Sequence, residues 1–485
     1  MYRYFGQNTR PFSALTHNRY GRQVIYTLEN AIDSSNIVEE LDKALSVHNQ
    51  NAIEIDYLDK YYKGDQPILY RKKDVRPEIN NKVVVNLAYF IVETKTSEMC
   101  GEPIQYVLHG TDEKKSEQIS KLNAIMDGED KGYFDIELCR WRSICGTAYR
   151  FIGQAEQRHK RLLDESDFYL STEDPRYTFI AYYPDNYPAF SCQIRTDSEG
   201  NTIYFVYTDS EWFDIREGNI VAHGANGNGA IPVIEYPNNY RRISDVELTI
   251  YLTDGINTTT SDRHNSIEGF VQSWVKFVNC EIDSTTFEKM RQEGALVVKS
   301  NNRTENSKAD VDILTSELNQ TQTQVAMDDD FEKIMIIQGI ADRQGNTGGD
   351  TQGAVSLRNG FYSMEKRSEI SEPIFKRSER NALRIILNRL RILNGFNLTP
   401  SDVEIKISRT KSDNMLVKAE VLQMLLNSGV NPERSLKTVG LFSDPEQVAL
   451  ESRDRMDILY PTTVEGMATV PDNNGGDLNS GTVFI

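Results

Sequence analysis

The sequence predicts an α+β fold with several structural units. Apolar residues recur at helical spacing over much of the chain, whereas the stretch from 132 to 233 consists of short runs typical of β-strands. The length of 485 residues also exceeds what one hydrophobic core usually organises. We therefore expect about two to four units that are mainly helical, with an antiparallel sheet in the first half.

Cysteine usage and hydropathy exclude several classes of protein. The five cysteines are scattered, odd in number and without a Cys-x-x-Cys pair, so we expect neither a disulfide framework nor a zinc site, and a reducing compartment fits. No apolar run approaches the ~20 residues that cross a bilayer, and the N-terminus lacks the apolar core of a signal peptide. We expect no membrane association, no cofactor and no bound metal.

Charge is distributed unevenly along the chain. The net charge of −18 opposes tight wrapping of nucleic acid by the whole surface. The segment from 366 to 391 nevertheless carries many basic residues against three acids, Glu369, Glu372 and Glu379. The basic residues are Lys366, Arg367, Lys376, Arg377, Arg380, Arg384, Arg389 and Arg391. A basic helix is therefore predicted within an acidic protein.

The first half of the chain divides into helices and then strands. Residues 1–35 are weakly patterned and are predicted to be an arm. Helical periodicity runs from Ile37 to Lys63 and from Leu87 to Met99, and a glycine follows each segment. Between 132 and 233, aromatic and β-branched runs bounded by turn residues predict antiparallel strands. These runs are 146–152, 177–183, 189–195 and 201–207.

A long helix is predicted from Ser244 or Asp245, either of which is a suitable N-cap, to about residue 280. Its second half has one apolar stripe, formed by Ile267, Phe270, Val271, Trp274, Val275 and Val278. Its first half is weaker, because Asn257-Thr-Thr-Thr-Ser261 has low helix propensity. We expect Ile267, Phe270 and Trp274 to pack against a neighbouring helix or subunit.

A compact insertion follows, with a short helix at 283–294 and strands at 295–299 and 310–314. A second helix is predicted over 325–338, with Phe331, Ile334, Met335 and Gln338 on one face. A long basic helix is predicted from 354 to 393. We expect Pro373 to kink it and its C-terminal half to bury four apolar side chains, which are Leu383, Ile386, Leu387 and Leu390.

The C-terminal part reads as an alternating strand at 402–408 and then a set of short capped helices. Proline at the first helical position marks two of them, at Pro432 and Pro445. The tail beyond Pro461 lacks core residues and is expected to be disordered.

A glycine-rich loop lies between the last two long helices. Residues 343–353 read Arg-Gln-Gly-Asn-Thr-Gly-Gly-Asp-Thr-Gln-Gly, and the glycines permit backbone shapes closed to other residues. No Lys follows Gly353, and a helix rather than a strand precedes the loop, so the pattern does not match a nucleotide-binding P-loop. We predict a mobile loop on a rigid support.

Enzyme signatures are absent from the sequence. The six histidines form no His-x-x-x-His or His-Glu pair, and no Gly-x-Ser-x-Gly elbow appears. The triplet Asp328-Asp-Asp330 could bind Mg²⁺ as in nucleases, but acids at the start of a helix are also favoured by the helix dipole. We expect no enzymatic activity, and a Mg²⁺-dependent nuclease is kept as an alternative.

Several motifs together carry a resemblance to a known family. They are Tyr61 to Ile68; Asn80 to Asn86 with Ile91-Val and Gly101 to Ile104; Ser244 to Leu248 with Ser261 to Phe270; and Gly348 to Leu357. Their order and spacing resemble those of the portal proteins of tailed bacteriophages, in particular the large portal family of long non-contractile-tailed phages. The chain departs from the family at Gln352 and Arg358, where Ser and Lys are common.

The resemblance implies a portal fold with wing, stem, clip and crown, and about twelve copies closing into a ring. The implied segments are an N-terminal arm (1–35), the wing (36–243), a stem helix (244–280), the clip (281–324), a second stem helix (325–342), a tunnel loop (343–353), a long kinked wing helix and strand (354–411), a crown (412–460) and a tail (461–485).

The tunnel loop implied by the resemblance contains the candidate DNA-facing residues. They are Arg343, Gln344, Asn346, Thr347, Gly348, Gly349, Asp350 and Thr351. Arg343 either forms a ring of positive charge from repeated copies or offsets the macrodipole at the end of the preceding helix. Both interpretations remain open.

The resemblance also implies a function and partners. The ring would sit at one capsid vertex of the virion, after assembly in the host cytoplasm, and would form the channel for packaging and ejection of double-stranded DNA. The implied partners are the terminase large subunit, a head-completion or adaptor protein of the head-tail connector, and the major capsid and scaffold proteins. Another virion structural or adaptor protein is the alternative.

Overall fold

The computed structural model describes residues 21–74, 77–110, 112–155, 166–271, 274–278, 285, 288, 310–314, 320–341, 361–407, 415–442, 445–453 and 455. The chain divides into two compact units, Met1–Arg409 and Thr410–Ile485. Among the helices of these ranges, none combines the length and the apolar character needed to cross a membrane.

Helices and strands alternate in blocks, as an α+β fold requires. The helices of the first unit are α1 (Ile37–Tyr62), α2 (Leu87–Cys100), α3 (Glu113–Gly128), α4 (Lys131–Cys145), α5 (Ile250–Val271), α6 (Gln320–Gln338) and α7 (Phe361–Asn394). Its strands are β1 (Ile25–Tyr26), β2 (Gln105–Leu108), β3 (Thr147–Gln154), β4 (Phe168–Glu173), β5 (Thr178–Tyr182), β6 (Pro188–Thr196), β7 (Thr202–Tyr207), β8 (Glu211–Arg216), β9 (Asn219–Ala225), β10 (Val233–Pro237), β11 (Trp274–Val278), β12 (Asp310–Leu314) and β13 (Val403–Lys406). The second unit contains α8 (Met415–Asn427), α9 (Pro432–Val439) and α10 (Pro445–Glu451).

A six-stranded sheet has the order β1-β5-β6-β7-β8-β9. Its pairs are antiparallel except that of β1 with β5. Its apolar face packs on α1, where Ile37 and Leu41 join Phe179, Phe190 and Phe213 in one buried cluster. The strands predicted at 177–183, 189–195 and 201–207 are therefore confirmed as β5, β6 and β7.

The sequence patterns do not predict β4, β8, β9 and β10. Charged residues interrupt β4, β8 and β10, and β9 contains His223 and Gly224, so none of the four has a clear strand pattern. In β8, for example, Trp212 and Phe213 are adjacent, and Asp214 pairs with Arg216 at 2.8 Å. Strand β10 lies beside β3 in a second sheet of order β10-β3-β4.

Helix α4 corrects one prediction. The chain from 132 onward was expected to form strands, but Lys131–Cys145 is helical and ends at Gly146, whose φ is +85°. The helix buries Leu138, Cys139 and Arg142 on one side. Its mixed polar and aromatic composition has no clear helical periodicity, so only tertiary packing reveals the helix.

The long helix predicted to reach residue 280 ends at Val271. Trp274–Val278 instead forms β11 and pairs antiparallel with β12, Trp274 opposite Leu314. The prediction of one helical apolar stripe from Ile267 to Val278 is therefore wrong. The run Trp-Val-Lys-Phe-Val is rich in β-branched and aromatic residues that favour strands, and short apolar runs are ambiguous between the two periodicities.

The largest buried cluster holds α7 against α3, α4 and the sheet of β3. Leu383, Ile386, Leu387 and Leu390 are at most 1% exposed, which confirms the predicted buried face. Pro373 lies inside the helix. After α7 the chain returns to pair β13 with β2, so the predicted alternating strand is confirmed and closes this core.

Cys100 at the end of α2 and Cys139 in α4 form a disulfide. The scattered cysteines predicted no disulfide framework, and that prediction is wrong for this pair. The two cysteines are 39 residues apart, and only the packing of the two helices brings them together.

The second unit is helical, as predicted. The Asn431 side chain accepts hydrogen bonds from the backbone of Glu433 and Arg434 and so caps α9, with Pro432 at its first position. Gly440, with φ of +60°, ends the helix.

Candidate functional site: the base of the paired helices

Helices α5 and α6 pack antiparallel along their length. Ile256 of α5 shares a buried cluster with Ile334 and Met335 of α6. Further along the pair, Arg263 Nη1 donates to Gln324 Oε1 at 2.7 Å. The two predicted long helices therefore form one paired element that leads to β11 and β12.

An extended segment before α2 is bound to α5 by a line of polar side chains. Asn257 Oδ1 accepts from Val85 N at 2.7 Å, Ser261 Oγ from Val83 N at 2.9 Å, and Asn265 Oδ1 from Asn81 N at 2.7 Å. We call Asn257, Ser261 and Asn265 the polar ladder. All three are buried, so the ladder gives partly buried backbone donors of the segment acceptors inside the protein.

The ladder depends on matching the repeats of helix and strand. Residues four apart rise about 6 Å along an α-helix, and residues two apart rise about 6.6 Å along an extended chain. Alternate backbone donors of the segment therefore meet successive turns of α5. Asn257 and Ser261, the two ends of the low-propensity stretch that weakened the helix prediction, make this contact.

The base of the helix pair is fixed by Gln338, the last residue of α6. Its Nε2 donates to the backbone oxygen of Asp245 at 2.6 Å and to Thr249 Oγ1 at 3.1 Å. Asp245 in turn accepts from Lys95 Nζ at 2.8 Å and from Ser143 Oγ at 2.7 Å. The segment that leads into α5 and the end of α6 are thus joined to α2 and α4.

Electrostatics keep Asp245 charged at this base. Burial raises the pKa of its carboxyl, but the charge of Lys95 and the hydrogen bonds from Lys95 and Ser143 outweigh burial, so the pKa is lowered from its usual value. The carboxylate is therefore a permanent acceptor for both neighbours.

Arg367 connects α7 to the end of α6. Its Nη1 donates to the backbone oxygen of Ile337 at 2.8 Å, which binds one of the carbonyls that a helix end leaves free. Gly339 has φ of +67°, and a Cβ there would lie 2.5 Å from Arg367 Cδ. Glycine at 339 therefore makes room for the arginine that comes from α7.

A buried charge cluster anchors the middle of α7. Glu379 is fully buried and lies 3.1 Å from Lys131 Nζ and 3.7 Å from Arg150 Nη1. Asp135 completes the ion pairs, at 2.5 Å from Lys131 Nζ and also bonded to Arg150. Two cations and two anions balance, as burial of charge requires.

Two tyrosines complete the cluster around Glu379. Tyr106 donates its hydroxyl to Oε1, and Tyr236 donates to Oε2 at 2.6 Å. Burial raises the pKa of Glu379, but Lys131, Arg150 and the two hydroxyls outweigh burial and lower it to about 2. Helix α7 is therefore held by ion pairs to α4 and β3 and by hydrogen bonds to β2 and β10.

The site residues predicted from sequence lie in different places. Residues 342–360 lie outside the described ranges, including Arg343, Gln344, Asn346, Thr347, Gly348, Gly349, Asp350 and Thr351. Ile267 is 58% exposed on α5. Phe270 is in α5, and Trp274 is in β11 rather than a helix.

The acidic triplet also differs from its predicted setting. Helix α6 begins at Gln320, so Asp328 and its neighbours lie in mid-helix and not at a helix start. Asp329 pairs with Lys333 at 2.5 Å, and Asp328 accepts from Gln324 at 2.6 Å. Within the part of the chain that the structure describes, no group of three or more His, Cys, Asp or Glu residues is placed to hold a metal ion.

Sequence reasoning missed the polar ladder, Gln338 and Arg367. A signal for the ladder was present in the four-residue spacing of Asn257, Ser261 and Asn265 on a predicted helix, together with an Asn-rich extended segment before Leu87. Arg367 had no such signal, because its partner is a backbone carbonyl.

Comparison with known proteins gives one strong match. The family model described as phage portal protein, SPP1 Gp6-like, matches residues 41–456. No curated protein sequence matches the chain.

The solved structures that resemble the chain include two at low identity. A chain from the neck of an empty GTA particle, computed with C6 symmetry, is 10% identical with a TM-score of 0.45, and the match covers 73% of this chain and 90% of that chain. A chain from the virion of a native gene transfer agent particle is 9% identical with a TM-score of 0.40, covering 73% and 89%.

Proposed function

Because the chain belongs to the phage portal protein family, matched over residues 41–456, we propose that about twelve copies form a closed ring at one capsid vertex of a virion. The ring is the channel through which double-stranded DNA is packaged and later ejected. The family match is the observation that carries this proposal. The role is structural and not catalytic.

The paired helices support an assignment of parts within the ring. Helices α5 and α6 form the stem, and β11 with β12 belongs to the clip, so the stem ends near residue 271 rather than 280. The sheet on α1 and the core around α7 form the wing, and the second unit forms the crown. A rigid stem is favoured by the polar ladder, which binds α5 to the segment from Asn81 to Val85.

The clip is proposed to dock the terminase large subunit during packaging and a head-completion or adaptor protein afterwards. The major capsid and scaffold proteins would surround the wing. These partners follow from the proposed place of the ring in the particle.

Residues 343–353 are proposed to line the tunnel and to contact DNA transiently. Arg343 gives each copy one phosphate-directed group in this loop, too little for tight binding at cellular salt. Changing Gly348 and Gly349 to Pro should preserve ring assembly and lower the amount of DNA packaged, because proline restricts the backbone. Full packaging at the normal rate by this variant would exclude a role for loop mobility.

A packaging reaction tests the proposed function directly. Capsid precursors are assembled with and without this chain, supplied with motor, ATP and linear duplex DNA, and then treated with nuclease. Nuclease-resistant DNA should appear only when the chain is present. Equal protection without it would contradict a portal role and favour another virion structural or adaptor protein.

A further inference from the structure

Helix α7 presents a line of arginines to solvent. Arg377, Arg380, Arg384 and Arg391 are all exposed. At 3.6 residues per turn they lie within about 60° of one another around the helix, over a rise of about 21 Å. We call these four residues the arginine stripe.

Carboxylates of the same helix do not neutralise this stripe. Glu369 pairs with Lys366 at 2.8 Å, and Glu372 pairs with Lys376 at 2.6 Å. Glu379 points inward, to Lys131 and Arg150. Among the described residues, no arginine of the stripe forms a salt bridge, and Arg384 donates only to Asn381 at 2.6 Å.

Arginines elsewhere in the described chain behave differently. Many of them form salt bridges with Asp or Glu, namely Arg22, Arg71, Arg140, Arg150, Arg176, Arg195, Arg216, Arg242 and Arg389. In a chain of net charge −18, a run of exposed arginines that pairs with no carboxylate of the described residues is a local positive surface. This surface can bind an anionic ligand.

The stripe is held rigidly by the opposite face of α7. Arg389 bonds Asp167 at 2.8 Å and Asn228 at 2.6 Å, and Glu379 is fixed by the buried charge cluster. The stripe therefore keeps its spacing without a partner, which reduces the entropy lost on binding.

We propose that the arginine stripe binds the phosphate backbone of duplex DNA on a surface separate from the channel. The inference rests on the proposed function, because that function supplies DNA as the partner. Guanidinium groups bind phosphate oxygens in bidentate geometry. A helix rise of about 21 Å spans about six phosphates of one strand at 3.4 Å each.

The exposed residues of this stretch favour phosphate over a protein partner. Between Arg377 and Arg391 the exposed residues are arginine, with Asn381 and Asn388 half-buried beside them, and the exposed Ile370 and Ile392 lie outside this stretch. Protein interfaces also use arginine, but they set it among aromatic or apolar anchors. The alternative partner for this surface is a second copy of this chain, which carries an excess of acids. A binding experiment distinguishes DNA from a second copy.

The test uses purified rings and covalently closed circular duplex DNA, which cannot thread an intact ring. Binding then reports outer surfaces only. The variant Arg377→Gln/Arg380→Gln/Arg384→Gln is compared with Lys43→Gln/Lys60→Gln/Lys121→Gln. Each control lysine has a side chain 44–60% exposed and pairs with an acid of its own helix, so both variants lose three positive charges.

Affinity is measured from about 50 to 200 mM salt, where counterion release dominates. For the stripe variant we expect binding about tenfold weaker or more, and a slope of log affinity against log salt that is shallower by about three, since each phosphate contact contributes about one. The control variant should keep the wild-type slope.

Two results would overturn the proposal. One is a stripe variant with wild-type affinity and slope. The other is failure of the stripe variant to assemble while the control assembles, which would place the stripe between copies. If the wild-type chain forms no ring, the proposed function is wrong, but the proposal for the arginine stripe can still be tested. The slopes of log affinity against log salt are then compared for the unassembled wild-type, stripe-variant and control-variant chains.

Discussion

The carboxylate of Glu379 in α7 lies 3.1 Å from the ammonium group of Lys131 in α4. Both side chains are at most 3% exposed, so the contact is a buried ion pair between parts of the chain that are distant in sequence. It fixes the helix that follows the proposed tunnel loop to the body of the first unit.

Removing this charge should destabilise the fold. Glu379→Gln leaves Lys131 and Arg150 with Asp135 alone, and breaking a buried pair costs about 3–5 kcal/mol. Urea unfolding at pH 7 measures the loss, and Glu369→Gln on the exposed face of α7 is the control.

The pKa of Glu379 is lowered from 4.5 to about 2 in the folded state, so the stabilisation that its carboxylate provides is full above pH 4.5 and falls as pH drops towards 2. The difference in the free energy of unfolding between wild type and Glu379→Gln should therefore become smaller over that range. A difference that stays constant would show that the ionised Glu379 carboxylate is not what stabilises the fold.

Asn257 of the polar ladder should contribute to the stability of the fold. Asn257→Ala leaves the partly buried Val85 N–H without its acceptor, which costs about 1–3 kcal/mol. Thr258→Ala, at the exposed neighbouring position, should be neutral or slightly stabilising because alanine favours helices. Thermal unfolding of both variants compares them. Equal melting temperatures would show that the ladder does not hold α5.

Gly339 should tolerate alanine less well than Gly395. Both have positive φ, +67° and +66°, but only Gly339 has a neighbour, Arg367, within 4 Å. Both substitutions cost about 1 kcal/mol of backbone strain, and Gly339→Ala should lose in addition about 0.5–1 kcal/mol for the Arg367 hydrogen bond. In the Gly339→Ala background, Arg367→Gln should then have little further effect. Additive losses in the double variant would refute the coupling.

The clip should be removable only along its structural boundaries. Replacing 272–319 with a short flexible linker takes out β11 and β12 together and should leave stable rings. Deleting 281–324, the boundary expected from sequence, leaves β11 unpaired and removes the first residues of α6, so we expect a lower melting temperature. Equal stability of the two deletions, measured by thermal unfolding, would show that the β11–β12 pair does not define the element.

Sequence patterns predicted elements where one periodicity dominates. The stripe of Leu383, Ile386, Leu387 and Leu390 and the alternation in β13 are examples, because each is set by a single buried face. The strand at Trp274 and the helix at Lys131 were not predictable, since tertiary pairing chose between periodicities that the local sequence left open.

The candidate site was less predictable than the fold. Gln338 and Arg367 act on backbone carbonyls, and a carbonyl partner has no sequence signature. The buried cluster around Glu379 joins side chains from five elements, and from sequence Glu379 was simply one acid among the basic residues of α7.

Electron microscopy of the purified chain tests the central claim most directly. A portal protein should form rings of one size with a central hole about as wide as a DNA duplex, and class averages should have about twelvefold symmetry, since heterologous contacts close into rings. Monomers, open filaments or rings whose hole is too narrow for a duplex would contradict the proposed function.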